Sequence, residues 1–126
     1  MECAYISVGI DEEAELLNRK KVKAKRIHTC CECEEPIYPE RRYWIEVTKF
    51  DGTIALFKTC LTCMDVRDHL FYDFYYESLW EAFKDFVYNY PNEIPWAKIG
   101  RLTRISRDKV CDIIEKIWDE EDSCSQ

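Results

Sequence analysis

Apolar and polar positions change rhythm several times along the chain. Residues 43–50, Tyr-Trp-Ile-Glu-Val-Thr-Lys-Phe, are aromatic and β-branched and read as a strand. Asp51-Gly52 follows as a two-residue hairpin turn, because glycine accepts positive φ, and residues 53–58 form the returning strand. Thr59 then precedes Cys60-Leu61-Thr62-Cys63-Met64-Asp65, the first turn of a helix expected to run to about Leu70. Tyr76, Trp80, Phe83, Val87 and Tyr90 recur at helical spacing. That helix is expected to stop before Pro91, whose ring disfavours helical geometry at the preceding residue. Residues 91–95 read as a turn and residues 96–102 as a short helix. Ser106 is the expected N-cap of a last helix reaching about Glu120, with Val110, Ile113, Ile114 and Ile117 as its buried stripe.

The N-terminal part is less patterned. Ala4-Tyr5-Ile6-Ser7-Val8 is an edge strand or an arm, and residues 12–26 suit a helix or an extended basic arm. The chain therefore divides into an N-terminal arm with a basic segment (1–27), a metal module (28–70) and an aromatic-rich helical region packed on it (71–126). The class is α+β.

Length and composition agree with one modest core: 126 residues, 47% hydrophobic and 34% charged, a globular balance. With three glycines and four prolines there is no long low-complexity linker. A net charge of −7 opposes simple phosphate binding, since the long-range field repels nucleic acid. The charge is uneven, however. Residues 18–28 carry Arg19, Lys20, Lys21, Lys23, Lys25 and Arg26 without an acid. Asp73, Glu77, Glu81 and Asp85 fall every four residues. On one helix they would form a ridge spaced about 6 Å apart. Like charges at that spacing weaken an isolated helix, so such a ridge is either a tolerated solvated face or a partner-binding surface that mimics a phosphate backbone. The aromatic stripe beside it reads as core.

The cysteines carry the chemistry. The N-terminal residues lack the basic-then-apolar layout of a secretory signal, and no apolar run nears the roughly 18 residues of a membrane span. The expectation is a soluble, cytoplasmic protein whose eight cysteines serve metal rather than disulfides. Cys30-x-x-Cys33 and Cys60-x-x-Cys63 are two metal knuckles, and four thiolates complete the tetrahedron of one structural zinc. A knuckle, a hairpin and a second CxxC at a helix start give the layout of a treble clef. His28 and Cys31 remain open as replacements for one knuckle ligand. Cys3, Cys111 and Cys124 have no sequence partners, and Cys111 reads as a core thiol.

His28-Thr29-Cys30-Cys31-Glu32-Cys33, Pro36-Ile37, Tyr43, Asp51-Gly52, Lys58-Thr59-Cys60-Leu61-Thr62-Cys63 and Arg67-Asp68 resemble small phage and prophage zinc-finger proteins. Ser106 to Glu115 also fits such proteins, and Glu34 stands where they usually carry glycine. The resemblance implies a zinc ligand set and a phage setting in the host cytoplasm. Some small acidic phage proteins are anti-CRISPR inhibitors, which supplies one concrete hypothesis for the partner: a host RNA-guided nuclease or its ribonucleoprotein.

Catalysis is not expected. An HNH nuclease needs histidines around a catalytic metal, and the chain has two histidines, His28 and His69, with no neighbouring His or Asn at His69. No phosphate-cradling glycine loop or Ser-His-Asp set occurs. Two binding classes are left. One is a non-catalytic inhibitor that blocks nucleic-acid access through the acidic ridge. The other is a nucleic-acid-binding regulator of zinc-finger type, using residues 19–26 with Arg101, Arg104, Arg107 and Lys109.

Overall fold

The computed structural model describes residues 5–9 and 14–124. Cys3 and Ala4 lie outside the described residues. The class is α+β: a small antiparallel sheet, a two-stranded ladder and four helices.

The hairpin forms around its turn. Strands β4 (Arg42–Phe50) and β5 (Thr53–Cys60) pair in register from Tyr43 opposite Cys60 to Phe50 opposite Thr53. Asp51 and Gly52 between them have φ of 51° and 79°. Positive φ at both positions matches the twist of the flanking strands.

The basic segment is neither a helix nor a free arm. Residues Glu15–Lys23 form strand β1, which pairs with the other edge of β4 in the order β1-β4-β5. Residues alternate between the two sides of a strand. One sheet face therefore carries Arg19 and Lys21 beside Glu46 and Trp44, and the other carries Lys20 and Val22 beside Ile45 and Tyr43. A charged edge strand resists addition of further strands. The opposite edge, β5, is covered at one point, where the Cys31 N–H donates to the Lys58 carbonyl at 2.8 Å.

Strands β2 (His28–Thr29) and β3 (Pro36–Ile37) frame the first cysteine turn. Helix α1 (Leu61–Leu70) leaves the end of β5 directly. Helices α2 (Leu79–Asn89), α3 (Trp96–Ile99) and α4 (Arg104–Cys124) complete the core, with α4 packed on α1 and α2. Val66, Leu70, Phe83, Val87, Val110 and Ile114 are fully or almost fully buried there. Residues around Ile6 join this half: the Ile6 N–H donates to Leu70, Tyr72 donates back to Ile6, and Ile6 is buried beside Phe71.

Two helix starts differ from expectation. α2 begins at Leu79 rather than before Tyr76, and Tyr90 ends it ahead of Pro91. α4 begins at Arg104, because the Thr103 carbonyl accepts the Arg107 N–H at 2.9 Å and Asp65 accepts the Thr103 N–H and hydroxyl at 3.0 Å each. Ser106 is thus buried in the first turn instead of capping it. Among the described residues no helix is long and apolar enough to cross a membrane.

Candidate metal centre

The two cysteine pairs arrive from opposite directions. Cys30 follows β2, and the chain turns through residues 31–33, with the Cys30 N–H donating to Glu35 and the Glu34 N–H donating to the Cys30 carbonyl, each at 3.0 Å. Glu34 has φ of 63°, in the left-handed region that favours glycine. The second pair needs no turn of its own. Cys60 ends β5 and caps α1, its Sγ accepting the Cys63 N–H at 3.4 Å.

The sulfurs of Cys30, Cys33, Cys60 and Cys63 all lie within 4.8 Å of one another, and none is in a disulfide. Cys33 Sγ and Cys60 Sγ are 3.9 Å apart. Four sulfurs at about 2.3 Å from one tetrahedral ion would be separated by about 3.8 Å. Neither His28 nor Cys31 belongs to the cluster. His28 Nδ1 lies 3.1 Å from Lys58 Nζ with its ring against Tyr43, and Cys31 Sγ lies 3.4 Å from Thr59 Oγ1. Burial pushes the Cys31 thiol up to about 12.

The surroundings favour thiolates. Cys30 Sγ accepts the N–H groups of Glu32 at 3.4 Å and Cys60 at 3.3 Å, and Cys63 Sγ accepts the indole N–H of Trp80 at 3.2 Å. The N-terminus of α1 adds partial positive charge. Hydrogen bonds from Cys33, then Cys60 and Cys63, pull the Cys30 thiol down, whereas Cys60 and Cys63 are held up chiefly by Cys30. Cys33 is lowered as well, and a cation held by all four sulfurs would displace the protons that Cys60 and Cys63 retain. Four soft donors in a closed set suit a structural metal, with zinc and iron as the ions of that geometry.

A buried polar network, which sequence reasoning missed, ties this centre to the rest of the molecule. Glu32, inside the first knuckle, accepts the N–H of Leu79 at 3.0 Å and of Glu77 at 3.1 Å, and so holds the start of α2. Its Oε2 lies 3.5 Å from Nη1 of Arg67, whose Nη2 donates to Glu46 on β4. The guanidinium lies 4.3 Å from the Phe74 ring centre. Arg67 is 2% exposed.

No protein-family model, curated protein or solved structure matches the chain. Its site residues therefore stand on their geometry alone.

The four-carboxylate ridge does not form. Asp73 precedes α2 and is buried, accepting the Val8 N–H at 2.6 Å and the Ser7 hydroxyl at 3.3 Å. Glu77 sits at φ of 71° in the turn before the helix, where its N–H is bonded to Glu32. Long-range bonds thus win over helical spacing, and Glu81 and Asp85 alone lie on α2.

The cations are better organised. Lys20, Lys21, Lys23, Lys25, Arg26, Arg41 and Arg42 are all exposed at one end of the sheet. Arg19 pairs with Asp68 and Lys23 with Glu40, and among the described residues the other six make no ion pair. Trp44, half-buried, carries Arg19 at 4.6 Å and Lys21 at 5.6 Å from its ring centre. The second set of candidate cations is dispersed: Arg104 faces Asp108, and Lys109 covers the Trp80 ring at 4.7 Å.

Proposed function

We propose that the chain is a zinc-stabilised, non-catalytic binding module of treble-clef type that engages nucleic acid through the basic end of its sheet. The order of knuckle, hairpin and helix start supports the treble clef. The closed tetrathiolate set supports zinc in a structural role, with no coordination position for a substrate.

The observation that carries the reading is the row of exposed, largely unpaired cations along β1 and the start of β4 in a chain whose net charge is −7. Such local concentration against the overall sign is what a phosphate backbone would recognise, and it makes binding strongly salt-dependent. Trp44 within the row carries Arg19 and Lys21 over its ring and so holds two of these cations at the surface. The alternative, an acidic inhibitor of a host RNA-guided nuclease, draws support only from Glu81 and Asp85 on α2.

The test combines metal analysis of the reduced protein with fluorescence anisotropy of labelled oligonucleotides over a range of salt. We expect one zinc per chain and an affinity that falls steeply with salt. The variant carrying Lys20→Glu, Lys21→Glu and Lys23→Glu should keep its zinc and lose the oligonucleotide. Absence of any anisotropy change at roughly 50 mM salt would overturn the reading.

A further inference from the structure

A cavity of about 640 Å³ opens on the sheet face that carries Arg19. Ligand cavities of about 300–1,000 Å³ are usual for small organic groups. Ala55 and Phe57 line its sheet side, and Phe57 meets Tyr76 of the covering segment to close one end. Phe57 and Tyr76 are stacked at 4.2 Å with 9° between their planes. At the mouth, Phe50, Tyr72 and Tyr75 are 46%, 74% and 52% exposed. Three large aromatic side chains left in water around one opening form an apolar surface suited to a ligand.

The floor is polar and dry. Arg67 and Glu46 meet there, each 2% exposed. Arg67 Nε and Nη1 have no hydrogen-bond acceptor among the described residues, the Glu32 contact of Nη1 being an ion pair only. One guanidinium donor without a partner, Nε, next to a carboxylate and aromatic rings complements a neutral planar heterocycle that has both carbonyl and amino edges. A phosphate is disfavoured inside, because Glu46 and Asp68 line the same space.

The basic row leads to this opening. Arg19 belongs both to β1 and to the cavity rim, and Lys21 and Lys23 follow it on the same face. We infer that the cavity seats one unstacked base of a single-stranded nucleic acid whose phosphates run along Lys23, Lys21 and Arg19. The inference rests on the nucleic-acid reading above and adds to it strand form and a base site. Lysines that serve only to deter strand addition would need neither the aromatic mouth nor the donor-bearing floor.

The experiment is equilibrium anisotropy of the metal-loaded protein with a single-stranded RNA, the same sequence as DNA, an abasic version of each, and a duplex. The intact single strand should bind about tenfold more tightly than its abasic version, since stacking of one base carries that order of free energy. Ala55→Trp, which fills the cavity, should abolish this difference while leaving the salt-dependent part. Tyr75→Ala, at the exposed mouth and harmless to the core, should reduce it in the same direction, with metal content and circular dichroism confirming the fold. A preference for RNA or for DNA identifies the natural strand, and equal binding means that either is accepted. Equal affinity for intact and abasic strands, or a duplex bound as tightly as the single strand, would sink the base site and spare the basic row. Loss of all binding by the wild-type chain would sink both.

Discussion

Arg67 is the side chain on which three parts of the molecule converge, so its replacement is the sharpest probe of the interior. Arg67→Met keeps an unbranched apolar stem, shorter than arginine, and removes the guanidinium. Glu46 is 2% exposed and Glu32 is 8% exposed, so both carboxylates would be left in the interior without their common counter-charge. Glu32 keeps the N–H groups of Leu79 and Glu77, which softens its loss. Breaking a buried pair by removing one partner costs about 3–5 kcal/mol. A domain of this size has about 5–15 kcal/mol in total, so the variant should lose a large fraction of its stability. Replacing all three, as Arg67→Met with Glu32→Gln and Glu46→Gln, removes the charges together. The amide introduced at position 32 keeps one of the two acceptor oxygens that hold the start of α2, so this triple variant should recover part of the loss. Urea unfolding of metal-loaded protein, followed by circular dichroism, measures both quantities. A cost of about 1 kcal/mol or less for Arg67→Met, no more than an average point substitution, would mean that the guanidinium does not hold the two carboxylates. So would a triple variant no more stable than the single one.

Further outcomes follow from the same geometry. Chelation under reducing conditions, or Cys63→Ser, should collapse the near-ultraviolet dichroism, because metal binding in such sites supplies on the order of 10 kcal/mol of folding free energy; an unchanged spectrum would contradict a structural metal. Trp80→Phe keeps the ring packing on Phe83 but loses the N–H donor to Cys63 Sγ. Competition with a chromophoric chelator should then show metal affinity weakened by about tenfold or more, with a shifted thiolate charge-transfer band in the cobalt form. Burial, followed by the Glu46 carboxylate, raises the Tyr76 phenol from the ordinary 10 to about 12. Between those values the unfolded chain has released a proton that the native chain retains, so stability should fall as pH rises through that window. Tyr76→Phe should flatten the fall, and an identical slope in both proteins would exclude it. Glu34→Gly should raise the melting temperature, because the left-handed backbone costs a side chain about 1–2 kcal/mol while the added unfolded-state freedom of glycine returns about 0.5–1 kcal/mol; a lowered melting point would mean that the Glu34 side chain contributes to the fold.

What could be read from the residues was what depends on near neighbours. CxxC spacing, the Asp51-Gly52 turn and the apolar stripe of Val110, Ile113, Ile114 and Ile117 are local signals, and the hairpin, the sulfur cluster and the last helix correspond to them, with Ile113 only partly buried. The basic segment was ambiguous because an edge strand with charges on both faces has no apolar alternation. Its strand form depends on the free edge of β4, more than twenty positions later in the chain. Asp73 and Glu77 had helical spacing, yet the hydrogen bonds that place them come from Val8 and Glu32. Arginine is seldom fully buried unless paired, so the sequence alone does not mark Arg67 as interior. Its partners, Glu32 and Glu46, are far away in sequence, and nothing local marks them.

The bond between the Cys31 amide and the Lys58 carbonyl has a consequence for the behaviour of the protein when metal is scarce. The two margins of the sheet are guarded differently: β1 by its lysines, β5 by the first knuckle resting against it. Ile54 and Leu56, on the unguarded stretch of β5, are 62% and 55% exposed. A chain that loses its ion loosens the knuckle and bares a longer, greasier margin, open to pairing with the same margin of another copy. Metal starvation should therefore show itself as self-association of the protein together with the loss of its near-ultraviolet dichroism.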